Sequence, residues 1–238
     1  METIQGKHIL ITGATGGIGQ ETAQLLKSSG AIVYLAGRNR ALLDEVAGGL
    51  EVPASRTFAF AMESEEEVAE AAQQIHASIP ALDVLVNAAG VGIIKPLESL
   101  SLEDFQTSLN ANLVGPFLLL KHFLPQMKAQ KQGLIINLPG VLGKTPMAGA
   151  SAYAASKYGL NGMLKSVREE LKRTNVRITN VYLGGTDTPF WDTIDLRVQR
   201  DKFVTAKEAA RSIWFLCQQP SSGVVSEMVL QPFNHQAI

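Results

Sequence analysis

Tyr153 and Lys157 stand four positions apart in Tyr153-Ala154-Ala155-Ser156-Lys157, a spacing that sets both side chains on one face of a helix. If that face lines a cleft, the Lys157 ammonium favours the Tyr153 phenolate and draws its pKa down from about 10. A phenol tuned in this way passes a proton to or from a substrate oxygen near neutral pH. A solvated helix surface would carry the same pair, so the surrounding elements must decide between the two.

A second candidate is the run Thr12-Gly13-Ala14-Thr15-Gly16-Gly17-Ile18-Gly19. Residues 5–11 lead into it as a short apolar strand, and 21–28 follow with Ala23, Leu25 and Leu26 at helical spacing. Strand, glycine-rich turn and helix form the first unit of a dinucleotide-binding fold. Glycines let the backbone approach a pyrophosphate, and the helix N-terminus supplies free amides and partial positive charge. The next strand, 31–36, ends in Gly37-Arg38-Asn39-Arg40. An acidic side chain there would accept from the adenosine ribose hydroxyls and mark NAD; Gly37 holds the place instead, and the guanidinium of Arg38 can clamp a 2′-phosphate. NADP(H) is therefore favoured over NAD(H), against the plainer reading that Arg38 and Arg40 solvate a loop.

These residues need a scaffold, and the rest of the chain supplies its pattern. A helix over 41–50, a strand over 57–61, a helix after Ser64 with Val68, Ala71, Ala72 and Ile75 inward, and an apolar strand over 83–86 succeed one another. Ser64 and Glu67 have capping-box spacing, which makes Glu65-Glu66-Glu67 first-turn acids rather than a metal cluster. Asn87-Ala88-Ala89-Gly90 ends the fourth strand, where open α/β sheets place ligands. Ser101 and Asp104 open a long helix through Lys128 containing Asn110, Asn112, Gly115 and Pro116. Either a functional distortion near Asn112 or an ordinary proline kink is predicted there. A strand over 133–138, the Tyr153 helix, a strand over 177–183, a helix boxed by Thr205 and Glu208, and a strand over 228–230 complete the alternation. The predicted fold is α/β: a single-domain Rossmann-type doubly wound parallel sheet of about seven strands with helices on both faces, over residues 1–238.

The formal net charge of −1, with signs interspersed, leaves no footprint for nucleic acid or an anionic membrane. No apolar run approaches a membrane span and residues 1–7 lack a signal-peptide pattern, so a cytoplasmic protein is expected. Cys217 is the sole cysteine; among Ile213, Phe215 and Leu216 it reads as a core thiol. His8, His76, His122 and His235 lack ligand spacing, and no metal is expected.

With these motifs in place the chain resembles the short-chain dehydrogenase/reductase family over essentially its whole length. The turn 12–19, Asn87 to Gly90, Asn112, Tyr153 to Lys157 and Gly184 to Thr188 occur in the family's order and approximate spacing. The resemblance implies an NADP(H)-dependent oxidoreductase moving hydride between the nicotinamide and a ketone or secondary alcohol. Tyr153 would be the acid in reduction and the base in oxidation, and Asn112 would fix a water that passes the proton on from Lys157. The implied cofactor site comprises Gly13, Thr15, Gly17, Ile18, Gly19, Arg38, Asn39, Asn87, Ala88, Gly90, Gly184, Thr186 and Thr188 with Tyr153 and Lys157. Within it Gly13, Gly17, Ile18 and Gly19 hold the pyrophosphate, Lys157 also grips the nicotinamide ribose hydroxyls, and Thr188 orients the carboxamide. A homodimer or homotetramer is expected on the same ground.

Departures from the family pattern matter as well. Its serine, thirteen residues before the tyrosine, donates to the substrate carbonyl; here that position is Gly140. Loss of one such donor costs on the order of 10²–10³ in rate unless Ser151, Thr145 or a water replaces it. Hence an alternative: a dinucleotide-binding protein with little or no turnover, a sensor or scaffold. Ala61 stands where an adenine-contacting aspartate is frequent, Leu183 where proline usually precedes Gly184, and residues 232–238 lack a glycine-rich tail. Val91, Ile93, Pro139, Leu142, Met147, Phe190 and Trp191 predict a largely apolar cleft for a small carbonyl or alcohol substrate, or else packing of a lid over 189–203. Arg197 and Arg200 either meet an acidic group or face water.

Overall fold

Apolar runs at 9–11, 84–86 and 134–136 demand cover on both faces, and they form the middle of the sheet. The computed structural model describes residues 2–234. In chain order its main elements are β1 (His8–Thr12), α1 (Gly17–Ser28), β2 (Ile32–Gly37), α2 (Arg40–Gly49), β3 (Thr57–Ala59), α3 (Glu65–Ser78), β4 (Val84–Asn87) and α4 (Leu102–Leu109). There follow α5 (Gly115–Ala129), β5 (Gly133–Asn137), α6 (Ser151–Leu171), β6 (Val176–Leu183), β7 (Thr186–Asp187), β8 (Val204–Thr205), α7 (Ala206–Leu216) and β9 (Glu227–Leu230). Seven strands pair in the order β3-β2-β1-β4-β5-β6-β9, all parallel. The chain reverses direction across the sheet between β1 and β4, and the carboxyl ends of those two strands flank the crevice where such folds hold ligands.

Register assigns each side chain to a face. Leu10, Leu85 and Ile135 align across β1, β4 and β5 and pack with Ile75 of α3, Phe123 of α5 and Leu164 of α6. Their neighbours Ile11, Val86 and Ile136 point the other way, onto Leu26 of α1 and Ile213 and Leu216 of α7. Burying each such side chain is worth about 1.5–3 kcal/mol. The two layers give the sheet a stiff base from which its carboxyl-edge loops project.

Helix starts follow the sequence with one correction. Ser101 with Asp104 and Thr205 with Glu208 form complete capping boxes. Ser64 accepts from the Glu67 amide, but the Glu67 carboxylate accepts from the Ala61 amide at 2.8 Å instead of closing the box. The Ala61 amide is thereby taken out of the ladder, and β3 ends at Ala59 instead of 61. The long helix expected through Lys128, with a distortion or kink near Asn112, is divided by a π turn at Asn110–Val114 into α4 and α5. Its place has a local reason: Pro116, four residues beyond Asn112, has no N–H to give the Asn112 carbonyl.

Candidate active site

Two chambers meet at the crevice, one of about 880 Å³ and one of about 220 Å³, sharing Gly16, Ala88, Ala89 and Gly90. The glycine turn forms their common floor. Gly13 has φ +67°, and a Cβ there would lie 2.6 Å from the Ala89 nitrogen, so only glycine lets the turn lie on the end of β4. A Cβ on Gly19 would fall 2.1 Å from the Gly13 carbonyl oxygen. Gly17, Ile18 and Gly19 open α1, so their amides lack intrahelical acceptors, and among the described residues they find no others. Gly16, the N-cap, offers no side-chain cap. A cradle of backbone amides with no room for side chains suits an anionic dinucleotide.

The smaller chamber is lined by Thr15, Gly37 and Arg38 on one side and Phe60, Met62 and Glu63 on the other. Arg40 is committed elsewhere, to Asp44 at 3.2 Å and the Thr57 hydroxyl at 3.1 Å. Arg38 is exposed and pairs with nothing among the described residues. Asn39 lines neither chamber; its side chain caps α2 by accepting from the Leu42 amide. Asn87 is likewise occupied, accepting from the Thr12 hydroxyl at 2.9 Å and donating to Asn137 at 3.3 Å, a polar tie across the ends of β1, β4 and β5. Ala88 and Gly90 border both chambers, and Gly184, Thr186 and Thr188 line the larger one. Thr188 packs its methyl group on Gly17, where a Cβ would come within 2.9 Å.

Tyr153 and Lys157 lie on the first turns of α6 and both line the larger chamber. The Lys157 ammonium donates to the Leu138 carbonyl at 3.1 Å and sits 5.5 Å from the Tyr153 ring centroid. Burial brings Lys157 down to about 8. Burial also pushes the Tyr153 phenol up, opposite to the direction expected from the lysine. Desolvation outweighs the ammonium here because Lys157 faces the ring and the Leu138 carbonyl, with no hydrogen bond to the phenol oxygen. Asn112 is fully buried; its amide accepts from the Val91 N–H at 2.9 Å and donates to the Val91 carbonyl at 2.9 Å and to Ser156 at 3.1 Å. This excludes the solvated amide of an ordinary kink. Asn112 and Lys157 both crowd Gly90, where a Cβ would stand 2.8 Å from the Asn112 Oδ1 and 3.4 Å from the Lys157 Nζ.

Gly140 faces the acid. A Cβ built on it points toward the Tyr153 hydroxyl, 4.0 Å away, and the backbone has φ +69° and ψ 169°. Ser151 begins α6, is exposed and does not line the chamber, so it is no replacement donor; Thr145 does line it. Of the predicted apolar wall, Leu142, Met147, Phe190 and Trp191 line the larger chamber, whereas Pro139 and Ile93 line neither and Val91 belongs to the smaller. Phe190 leans on the Tyr153 ring, centroids 6.0 Å apart, and closes over Gly92. The lid is pinned where β7 pairs with β8 and by Arg200, which binds Asp187 and Asp192 at 2.6 Å each. Ile94, Leu196, Gln199, Lys202, Phe203, Gln231 and Asn234 also line the chamber; four of them lie in the 189–203 segment read as a lid, but they come from loops without periodic pattern, and no sequence signal marked them individually. Cys217 is buried and its thiol is pushed up to about 12 by desolvation, as fits a core residue. No group of metal-binding side chains occurs among the described residues, and His235 lies outside them. No helix among the described residues is long and apolar enough to cross a membrane.

Comparisons with known proteins agree with this geometry. The family model described as short chain dehydrogenase matches residues 7–198. A 3-oxoacyl-(acyl-carrier-protein) reductase of Aquifex aeolicus is 32% identical over 238 residues, covering 95% of this chain and 96% of the reductase. The crystal structure of a metagenomic short-chain oxidoreductase in complex with NADP superposes with a TM-score of 0.82 at 31% identity, covering 97% of this chain and 99% of that one. An alcohol dehydrogenase from the archaeon Thermococcus sibiricus, complexed with 5-hydroxy-NADP, gives a TM-score of 0.88 at 25% identity over 98% and 99% of the two chains.

Proposed function

The chain belongs to the short-chain dehydrogenase family, and from that premise we propose that it is an NADP(H)-dependent reductase of ketones, or dehydrogenase of secondary alcohols, with Tyr153 as its acid and base. The observation that carries this reading is the convergence of Tyr153 and Lys157 on a chamber whose floor is the glycine turn. Gly13, Gly17, Ile18 and Gly19 with the start of α1 hold the pyrophosphate. Thr15 and Arg38 take the 2′-phosphate in the smaller chamber; Asn39 contributes by setting the start of α2 beside Arg38, and Asn87 by fixing the strand end that carries Ala88 and Gly90. Gly184, Thr186 and Thr188 form the opposite wall, with Thr188 toward the carboxamide. When bound, the dinucleotide supplies or accepts the hydride.

In reduction Tyr153 donates its proton to the substrate oxygen. Its raised pKa keeps the proton in place at neutral pH, and Lys157, cationic below about 8, stabilises the phenolate left behind. Asn112 has spent its side chain on Val91 and Ser156, so its carbonyl, without a donor from Pro116, is the group left to hold a water for Lys157. The metagenomic short-chain oxidoreductase in complex with NADP supports the cofactor choice, as does Arg38, which has no partner among the described residues.

A second reading, a binder of dinucleotide with little turnover, is favoured by Gly140, which puts no hydroxyl beside Tyr153. A panel of aliphatic and aromatic carbonyls with NADPH separates the two. The enzyme reading expects cofactor oxidation that Tyr153→Phe lowers about 10²–10⁴-fold, with NADPH affinity retained. The wild-type rate should fall as pH rises through about 8, where Lys157 loses its charge. Tight NADPH binding with no oxidation above the Tyr153→Phe background would leave the second reading.

A further inference from the structure

The larger chamber is electrically one-sided. Among the described residues its charged lining residues are Lys157, Arg197 and Lys202, and no carboxylate lines it. Of the nearby acids, Asp187 and Asp192 are held by Arg200, and Asp195 and Asp201 are exposed and do not line the chamber. Lys202 has only the neutral Gln199 side chain as a partner, at 2.6 Å, and Arg197 has no hydrogen-bond or ion-pair partner among the described residues. Between these cations and Tyr153 the wall is apolar, with Leu142, Met147, Phe190 and Trp191. A guanidinium in water contributes little by itself, but at the rim of an apolar chamber it offers an incoming anion a two-pronged, charge-assisted contact as water leaves.

We propose that the carbonyl substrate carries a carboxylate, seated by Arg197 with Lys202 beside it, on an apolar body that reaches back to Tyr153. This rests on reading the cleft as a reductase site. Lys157 is not available for the carboxylate, because it lies against the Leu138 carbonyl beneath Tyr153. The cofactor phosphates have their own partners in the amides that open α1 and in Arg38, so the two lid cations are free for substrate.

The test is calorimetric titration of the NADP⁺-loaded protein with two oxo acids, para-acetylbenzoate and levulinate, and with their methyl esters, followed by turnover of all four with NADPH. In at least one pair the acid should bind about tenfold more tightly than its ester. Arg197→Ala should bring that acid to the ester's level, Arg197→Lys should keep part of the difference, and NADP⁺ affinity should stay within about twofold in both variants. No acid preference in either pair, or a preference that survives Arg197→Ala, overturns the proposal. So does an equal loss of NADP⁺ affinity, which would assign Arg197 to the cofactor. Arg197-dependent acid binding without turnover of any of the four would leave only a carboxylate seat at Arg197 and overturn its assignment to a reductase substrate; turnover of acid and ester alike, indifferent to Arg197, would overturn the seat and leave the reductase reading standing.

Discussion

The two walls of the cleft are built by different means. On the cofactor side the shape comes from the backbone: Gly13 rests on the end of β4 and Gly19 rests on Gly13, each against main-chain atoms at a distance that no Cβ permits. On the substrate side it comes from side chains of separate loops, Leu142 and Met147 after β5 and Phe190, Trp191 and Arg197 on the lid. A backbone cradle fits one invariant shape, a pyrophosphate, and tolerates almost no substitution. A side-chain wall can be rebuilt residue by residue, so it is where one member of a family differs from another. The family and the type of cofactor are therefore read from the first wall, and the substrate only from the second.

The largest effect should come from Gly19→Ala. Its new Cβ would meet backbone, the Gly13 carbonyl at 2.1 Å, so the turn must open rather than a side chain give way. NADPH titration is expected to show an affinity loss of about 10³-fold or more, roughly 4 kcal/mol, with urea unfolding at lower denaturant. Near-native affinity would mean that the turn is soft and that the contrast between the walls is false. A smaller effect is expected at the edge of the same wall, where Arg38 acts by its side chain. Arg38→Asp should weaken NADPH about 10²-fold and leave NADH binding the same or tighter. Unchanged NADPH affinity, in a fluorescence titration of both cofactors, would remove the phosphate clamp.

The same division explains what the sequence could disclose. The alternation of strands and helices, the glycine turn and the Tyr153–Lys157 helix follow from periodicity and from glycines at a strand end, because those signals are local; the order of the strands in the sheet does not. Asn112 was visible as an asparagine before Pro116 in a helix, but its clasp on Val91 joins residues 21 apart, and no local pattern encodes that. The sign of the Tyr153 shift was misjudged for the same reason: spacing places the ammonium near, while desolvation by the surrounding walls is a tertiary quantity. Gln199, Lys202 and Asn234 reach the chamber from irregular segments, and only coordinates reveal that they face it.

Gly140 tests where the two walls meet, since it is a backbone feature on the side-chain side. From sequence alone, Gly140→Ser should restore the family's missing donor and raise carbonyl reduction. The structure reverses that expectation, and not for want of space: a Cβ there would have the Leu183 carbonyl at 3.5 Å and the Tyr153 hydroxyl at 4.0 Å, both ordinary contacts. The obstacle is the backbone, whose φ of +69° and ψ of 169° lie in a region that is essentially restricted to glycine and costs other residues about 1–3 kcal/mol. A serine must either bear that strain or turn the 139–142 loop away from Tyr153, so it should lower stability by about 1–3 kcal/mol in urea and give no rise in kcat. A faster enzyme of undiminished stability would show that the loop holds its turn by choice of residue and not by geometry, and the missing serine would then be a simple deletion rather than part of a differently built wall.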